Sequence, residues 1–573
     1  MNAFYRTILD EIRGYFMSEK IKIFALGGLD EEGKCLNCVQ INNDIFVVDC
    51  GALPPDKTMP GVDYLIPNHD FLTEHKDQVK AYILLHGHDD AIGAMPFVYE
   101  SAPAPVYGSS LTLKMLGIFT QHVKKDPKMY EFHPVPPTGQ IKICGRVFHF
   151  FHTAHNVADS SGLAIETEYG NIVFTGDFVI ENSADPSYLN DMNAIAKIAE
   201  KPTLALLPES LYASRPGYTA PLYKLTPHIE DYFKTAEGRI FISLKAQDQF
   251  NIDEIIRLAI HYHKKIVCYD STALDTMTEM ASCGQLLIPK ENYASLDDIL
   301  RVRDQDLVVL MLGYGSKLFR KIALLASQQN EDRRIKLKET DTFIVANPSD
   351  DNTEIEYVDA ADELYRCGCH VFIVPKKTFL RMHASEEDLK MMASILKPKF
   401  YIPIKGLFKD LLANAMLALS MGINLNHSNV FVLENGLSVL IDDKGGRLFD
   451  EHIPHGDVII DGAGVGDVSQ EVLEDRQKLA DGVVIVAATI SRKQAEVVAG
   501  PDIQMRGFVY GKDQDMVIRD VTKVFQQTMD EFLVNPNYNF EEIQQNVYER
   551  CLRTVRRTTG KEPMVLPLMI EVD

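Results

Sequence analysis

AYILLHGHDDAIGA (residues 81–94) decides how the rest of the chain is read. Its first five residues form a continuous apolar run, of the kind that makes a strand buried on both faces. The run stops at His86-Gly87-His88-Asp89-Asp90. Two imidazoles at i and i+2 on a tight turn can face one metal ion, and Asp90 then reaches a neighbouring coordination position. Taken alone, such a pair fits a solvated polar loop at least as well.

The flanking sequence removes that ambiguity. VQINNDIFVVDCG (39–51) reads as a hairpin, with Asn42-Asn43 at the turn and Asp49 at the far end. NIVFTGD (171–177) is a second buried strand ending on Asp177, and His155 lies in FHTAHNVADSSG (151–162). In order and spacing, Asp49, His86, His88, Asp90, His155 and Asp177 resemble the metal-binding pattern of the metallo-β-lactamase fold. From about residue 225 the rhythm becomes strand–helix–strand: GRIFISL, FNIDEIIRLAIHYHKK, KIVCYD. That alternation implies a parallel sheet with crossover helices. KPKFYIPIKG (397–406) is again a buried strand ending in polar residues. FDEHIPHGDVIIDGAGVGD (449–467) has the Gly, Asp and His content of a linker, and VVIVAATI and VLPLMIEV are strands of a closing α/β unit.

Composition sets bounds. A chain of 573 residues exceeds one ordinary core. Its 46% apolar and 24% charged content is that of a soluble globular protein, and no apolar run spans a bilayer. MNAFYRTILDEIRGYF has helical spacing and lacks signal-peptide features. Nine cysteines at irregular spacing suit a reducing cytosol. The net charge of −23 weighs against a nucleic-acid binder, although an RNA channel needs only a local basic lining.

The chain resembles the ribonuclease J family over nearly its whole length. The stretches that carry the resemblance are GGLDEEGK, IPNHDFL, the HGH loop with IGA, TAHNVADS, FTGDF, HASEEDLK and KPKFYIPIKG. DGAGVGDV, VAGPDIQMRGFVY and EPMVLPLMIEV carry it through the C-terminal part. The resemblance implies an α/β architecture: a metallo-β-lactamase αββα sandwich with an inserted β-CASP α/β domain and a small C-terminal α/β domain. The expected divisions are 1–220 for the first part of the sandwich, 221–378 for the β-CASP domain and 379–447 for the return. A linker at 448–468 and the C-terminal ribonuclease J domain at 469–573 complete the chain.

Carried over residue by residue, the resemblance is uneven. One metal of the family's two-metal site matches His86, His88, His155 and Asp177, all present. The other would use Asp90, the next residue, Asp177 and a late histidine; the next residue is Ala91, and Lys405 stands at the late position. One divalent metal (zinc or manganese) is therefore expected and no second one, since two carboxylates without imidazoles hold a transition metal poorly. Lys405 is expected to reach between Asp90 and Asp177 as a charge substitute. The family's phosphate-binding loop His-x-Ser-Gly-His reads Phe379-Leu380-Arg381-Met382-His383, followed by Ala384 and Ser385. This segment is the expected substrate-contacting stretch, with His383 and Asp90 as catalytic candidates and Arg381 as an altered phosphate contact. Ala246-Gln247-Asp248-Gln249-Phe250, Gly313-Tyr314-Gly315-Ser316-Lys317-Leu318 and Glu209-Ser210-Leu211 read as rewritten cleft loops.

Cys35-x-x-Cys38 and Cys367-x-Cys369 fit buried packing better than a zinc site. GAGVGD (462–467) lacks the strand–loop–helix setting of a phosphate loop, and Arg553, Arg556 and Arg557 are expected to pair with carboxylates. The sequence most resembles the degenerate paralogue that Gram-positive bacteria keep beside an active ribonuclease J. That implies a cytoplasmic protein of mRNA decay and rRNA processing that binds 5′-monophosphorylated RNA weakly. It would hydrolyse RNA feebly or not at all alone and would join an active paralogue, a homodimer being the other assembly. The rival expectation is an independently active 5′→3′ exoribonuclease or endonuclease.

Overall fold

A computed structural model describes residues 18–572 apart from 57–58, 182–185, 348, 350–352, 462–463, 466–469, 508–513 and 536–537. The N-terminal MNAFYRTILDEIRGYF lies outside the described residues, as does most of GAGVGD. Contacts divide the chain into one unit of Met1–Pro54 with Tyr64–Val458 and another of Pro55–Asp63 with Ile459–Asp573.

The larger unit is built on two face-packed sheets. Leu36–Ile41 and Asp44–Val48 pair antiparallel across Asn42-Asn43, and Asn42 takes φ +57°, a conformation asparagine tolerates in tight hairpins. The eight-stranded sheet continues through Val79–Leu84, Val106–Gly108 and Phe132–Pro134 on one side. On the other side it continues through Ile21–Gly27, Ser438–Asp442 and Gly445–Phe449. The six-stranded sheet runs Phe400–Tyr401, Thr203–Leu207, Gly170–Phe174, Ser161–Thr167, Arg146–His152, Gly139–Ile143. Phe46, Val48 and Ile83 of the first sheet meet Phe148, Ile165 and Phe174 of the second in one core. Phe46 and Phe148 touch edge to face at 5.0 Å. Burying each such ring contributes roughly 1.5–3 kcal/mol.

Helices cover both outer faces. Met192–Ala199, Glu386–Leu396 and Phe408–Ser420 supply Ile195, Leu389, Met392 and Leu417 against Ala164, Val173, Leu206 and Tyr401. On the other side Phe71 packs edge-on against Phe24 at 5.2 Å, and the Tyr82 hydroxyl donates to Ala102 O. The result is an αββα sandwich.

A five-stranded parallel sheet is inserted between two neighbouring strands of that sandwich, Thr203–Leu207 and Phe400–Tyr401, which pair in parallel. Its order is Lys265–Cys268, Leu307–Gly313, Ile240–Lys245, Thr342–Val345, His370–Ile373. Every residue of Leu307–Gly313 is buried, because apolar clusters form on both faces of this sheet.

The second unit carries a three-stranded sheet, Glu496–Arg506, Val483–Ser491, Met564–Val572. Helices Gln514–Phe532 and Phe540–Thr559 pack on it through Val521, Phe525, Val547 and Cys551. Arg556 pairs with Glu562 at 2.8 Å. Within the described part of the 448–468 stretch, the strand Gly445–Phe449 ends and Asp457–Asp461 forms a strand of its own. The stretch's Gly and His content hid the β-branched run Val458-Ile459-Ile460. Among the described residues no helix is long and apolar enough to cross a membrane.

Candidate metal centre

Four strand ends converge on one rim of the sandwich. Val79–Leu84 delivers the HGH turn, and Asp49 Oδ1 fixes it by accepting the Leu85 N–H at 2.9 Å. The turn is closely packed: a Cβ on Gly87 would lie 2.4 Å from Met115 Sδ, and one on Gly51 only 1.6 Å from Asp90 O. Arg146–His152 leads to His155, and Gly170–Phe174 leads through Gly176, at φ +61°, to Asp177.

These positions bring three imidazoles together. The rings of His86, His88 and His155 stand edge-on to one another with centroids 5.0–5.1 Å apart. Asp177 Oδ2 lies 3.4 Å from His86 Nε2 and 3.5 Å from His155 Nε2. One ligand atom from each of the four falls within 4.8 Å of all the others.

The hydrogen bonds around the rings decide whether this is a metal site. His155 Nδ1 lies 2.7 Å from Met382 O, and His88 Nε2 lies 3.3 Å from Gln247 O. A carbonyl accepts only, so these outer nitrogens carry the protons. The inner nitrogens, His88 Nδ1 and His155 Nε2, then face each other at 3.3 Å as bare lone pairs. Burial, with His86 beside it, pushes His88 down to about 3, and burial also holds His155 well below the usual imidazole range. Both are thus neutral, the form that binds metal. Both ring nitrogens of His86 and Asp90 Oδ1 are buried without a hydrogen-bond partner. Unpaired buried polar atoms are costly, and a cation among them removes the cost. The donor set fits a divalent metal held by His86, His88, His155 and Asp177.

The adjoining position is arranged differently. Lys405 is 5% exposed and sits at φ +57°. Its ammonium lies 2.6 Å from Asp90 Oδ2 and donates to Asp177 Oδ2. Burial alone would lower Lys405, but Asp177 and Asp90 hold it well above the ordinary lysine range. Burial alone would raise both carboxylates, and Lys405 holds both well below their usual range. Ala91, beside Asp90, is buried and offers no ligand.

His383 forms the third side. Its Nδ1 is 2.7 Å from Glu209 Oε2 and 3.9 Å from Asp177 Oδ2. Glu209 Oε1 accepts the N–H groups of Phe178 at 2.8 Å and Ala384 at 3.1 Å. Burial pushes the Glu209 carboxyl up, and His383 offsets this in part. Asp177, Glu209 and His383 form a second cluster of ligand-type atoms within 4.8 Å. The sequence placed Glu209 in a rewritten cleft loop and gave it no ligand or catalytic role; the loop follows the fully buried strand Thr203–Leu207.

The expected substrate-contact segment is buried at most of its side chains. Phe379 packs in the core of the inserted layer, and Met382 packs with Leu111, Ala154 and Tyr223. Leu380 is buried too, and Ser385 caps the helix Glu386–Leu396 in a capping box with Asp388. These four side chains fill core and cap positions because their apolar or short polar groups serve there. Only Arg381, among the five non-histidine residues expected to contact substrate, is exposed. No cysteine belongs to either metal-capable cluster among the described residues, and Cys35, Cys38 and Cys369 are buried.

Comparison with known proteins agrees with this architecture. Residues 237–355 match the Ribonuclease J beta-CASP domain, and residues 471–572 match the Ribonuclease J C-terminal domain. Ribonuclease J 2 of Staphylococcus epidermidis is 30% identical over 558 residues, covering 97% of this chain and 99% of that protein. Ribonuclease J 2 of Staphylococcus aureus is 30% identical over 556 residues, with the same coverage. A crystal structure from Enterococcus faecalis V583, titled a protein of unknown function, aligns with a TM-score of 0.52. It is 15% identical and covers 74% of this chain and 100% of its own, a likeness of fold alone.

Proposed function

The chain belongs to the ribonuclease J family, and on that premise we propose that it is an RNA-decay protein whose two-metal centre is reduced to one metal position. It works poorly or not at all alone and serves as partner subunit to an active homologue in mRNA decay and rRNA processing. The observation that carries this reading is Lys405, whose ammonium lies 2.6 Å from Asp90 and is bonded to Asp177. An ammonium supplies the charge of a cation without its coordination number or Lewis acidity.

His86, His88, His155 and Asp177 would hold the remaining ion. A zinc or manganese ion there would supply Lewis acidity. The protein's own groups do the rest. Asp177 is shared between His86, His155 and Lys405, so part of its charge is already neutralised from the side of the second metal position. Glu209 fixes the His383 ring, which suits His383 to pass a proton to a leaving oxygen. Arg381, solvent-facing in the same loop, suits the 5′-phosphate of an RNA end. Among the described residues no group replaces the second half of a two-metal clamp on attacking and leaving oxygens.

The other reading, an independently active 5′→3′ exoribonuclease or endonuclease, draws support from that same His383–Glu209 pair. Cleavage of 5′-monophosphorylated RNA with manganese, by the protein alone and mixed with an active homologue, separates the two. Negligible cleavage alone, altered cleavage in the mixture and about one ion per chain fit the subunit reading. Vigorous cleavage alone, lost in His86→Ala, would overturn it. Joint replacement Ala91→His with Lys405→His is expected to raise the metal content to about two per chain and cleavage by tenfold or more.

A further inference from the structure

We propose that Gln247 is a positioning residue through which docking of the inserted layer and metal binding are coupled. The inference rests on the three-histidine site holding a metal. Two of its three imidazoles have their outer nitrogens held by backbone carbonyls from outside the sandwich's own turns. Gln247 O, just after the inserted strand Ile240–Lys245, takes His88 Nε2–H at 3.3 Å. Met382 O, on the segment leaving the inserted layer, takes His155 Nδ1–H at 2.7 Å. The Gln247 side chain also lies beside Asp89, in the same turn as His88.

By sequence the stretch Gln247–Phe250 belongs to a rewritten cleft loop. In the fold it is a clamp. The Phe250 N–H donates to Asn156 O at 3.0 Å, one residue past His155. Gln249, 4% exposed, accepts the Ala158 N–H at 3.4 Å and points its amide at Met115 Sδ. Phe250 stacks edge-on between Tyr188 and Tyr223, each at 5.0 Å. Farther out, Gln285 Nε2 donates to Asp159 Oδ2 at 3.1 Å, and Lys114 donates to Ser282.

The consequence is thermodynamic. An outer carbonyl fixes ring orientation and keeps the inner lone pair available, so its loss weakens metal binding. If docking helps the metal bind, the metal must stabilise docking by the same factor. Lifting Gln247–Phe250 removes one of the two carbonyl anchors and frees the Asp89 turn.

The test uses the full-length protein, zinc as probe, and a competing chelator to read affinity. Gln249→Ala and, separately, Gln285→Ala loosen the clamp without touching a ligand or its hydrogen-bond partner. Each is expected to weaken zinc binding, Gln249→Ala by roughly tenfold, with a changed visible spectrum after cobalt substitution. Zinc is expected to slow amide hydrogen exchange at 246–251 in the unmodified protein, a readout that stands even if a variant folds badly. Zinc affinity within twofold of the parent in both variants, or exchange at 246–251 unchanged by zinc, would overturn the coupling alone. A parent that binds no zinc would overturn the metal reading itself.

Discussion

The two halves of this one pocket, a few ångströms apart, are neutralised in opposite ways. On the histidine side, two neutral rings turn lone pairs toward each other at 3.3 Å, and neither His86 nitrogen has a hydrogen bond, although Nε2 faces Asp177 at 3.4 Å and Asp90 at 3.5 Å. On the lysine side, an ammonium pairs with Asp90 Oδ2 and Asp177 Oδ2, and only Asp90 Oδ1, turned toward His86, lacks a hydrogen bond. Asp177 belongs to both halves. A site awaiting a cation is recognised by polar atoms left unpaired in burial, and a site that carries its own cation by their satisfaction. Lost ligands alone would have left Asp90 and Asp177 repelling each other. With Lys405 in place that half is stable without an ion.

The contrast is broken most severely by removing Lys405. Lys405→Ala leaves two buried carboxylates without their partner, and urea unfolding of the metal-free protein is expected to show a loss of about 3–5 kcal/mol. A loss under about 1 kcal/mol, the scale of an exposed pair, would mean that water already screens the trio. On the opposite half, His86→Ala is expected to leave metal-free stability nearly unchanged while abolishing stabilisation by metal. With zinc at a hundredfold excess over Kd that stabilisation is about 2.7 kcal/mol, read as the difference in unfolding free energy with and without zinc. Equal zinc stabilisation in variant and parent would move the metal elsewhere. The smallest effect belongs to the third side. Glu209→Gln keeps one acceptor for Phe178 and Ala384 but gives up the charge beside His383, at a cost of about 1–2 kcal/mol. Zinc stoichiometry should be unchanged there, and a lost ion would place Glu209 among the ligands.

The exposed part of the cleft teaches the same lesson on a smaller scale. Read as a line, Phe379-Leu380-Arg381-Met382 looks like a phosphate loop filled with bulk. In the fold Phe379 and Met382 turn into two different apolar clusters, and Arg381 is left at the surface. A residue's type says what it prefers to bury, while the backbone path says which way it points.

What the sequence determined by itself is what depends on neighbours in the chain. Alternation and apolar runs fixed the Asn42-Asn43 hairpin, the buried strand before His86 and the parallel alternation after residue 225. The spacing of two histidines across one glycine fixed a turn able to present both. Strand Asp457–Asp461 escaped because its flanks are rich in the residues that usually mark a linker. The tertiary structure decided the pairings that span the chain: Lys405 with Asp177 across 228 residues and His383 with Glu209 across 174. It also decided that Gln247 holds His88 across 159. Local pattern is set by propensities acting over a few residues. Which charges meet in a pocket depends on how whole sheets stack and where an inserted layer rejoins them, and no short stretch of sequence carries that.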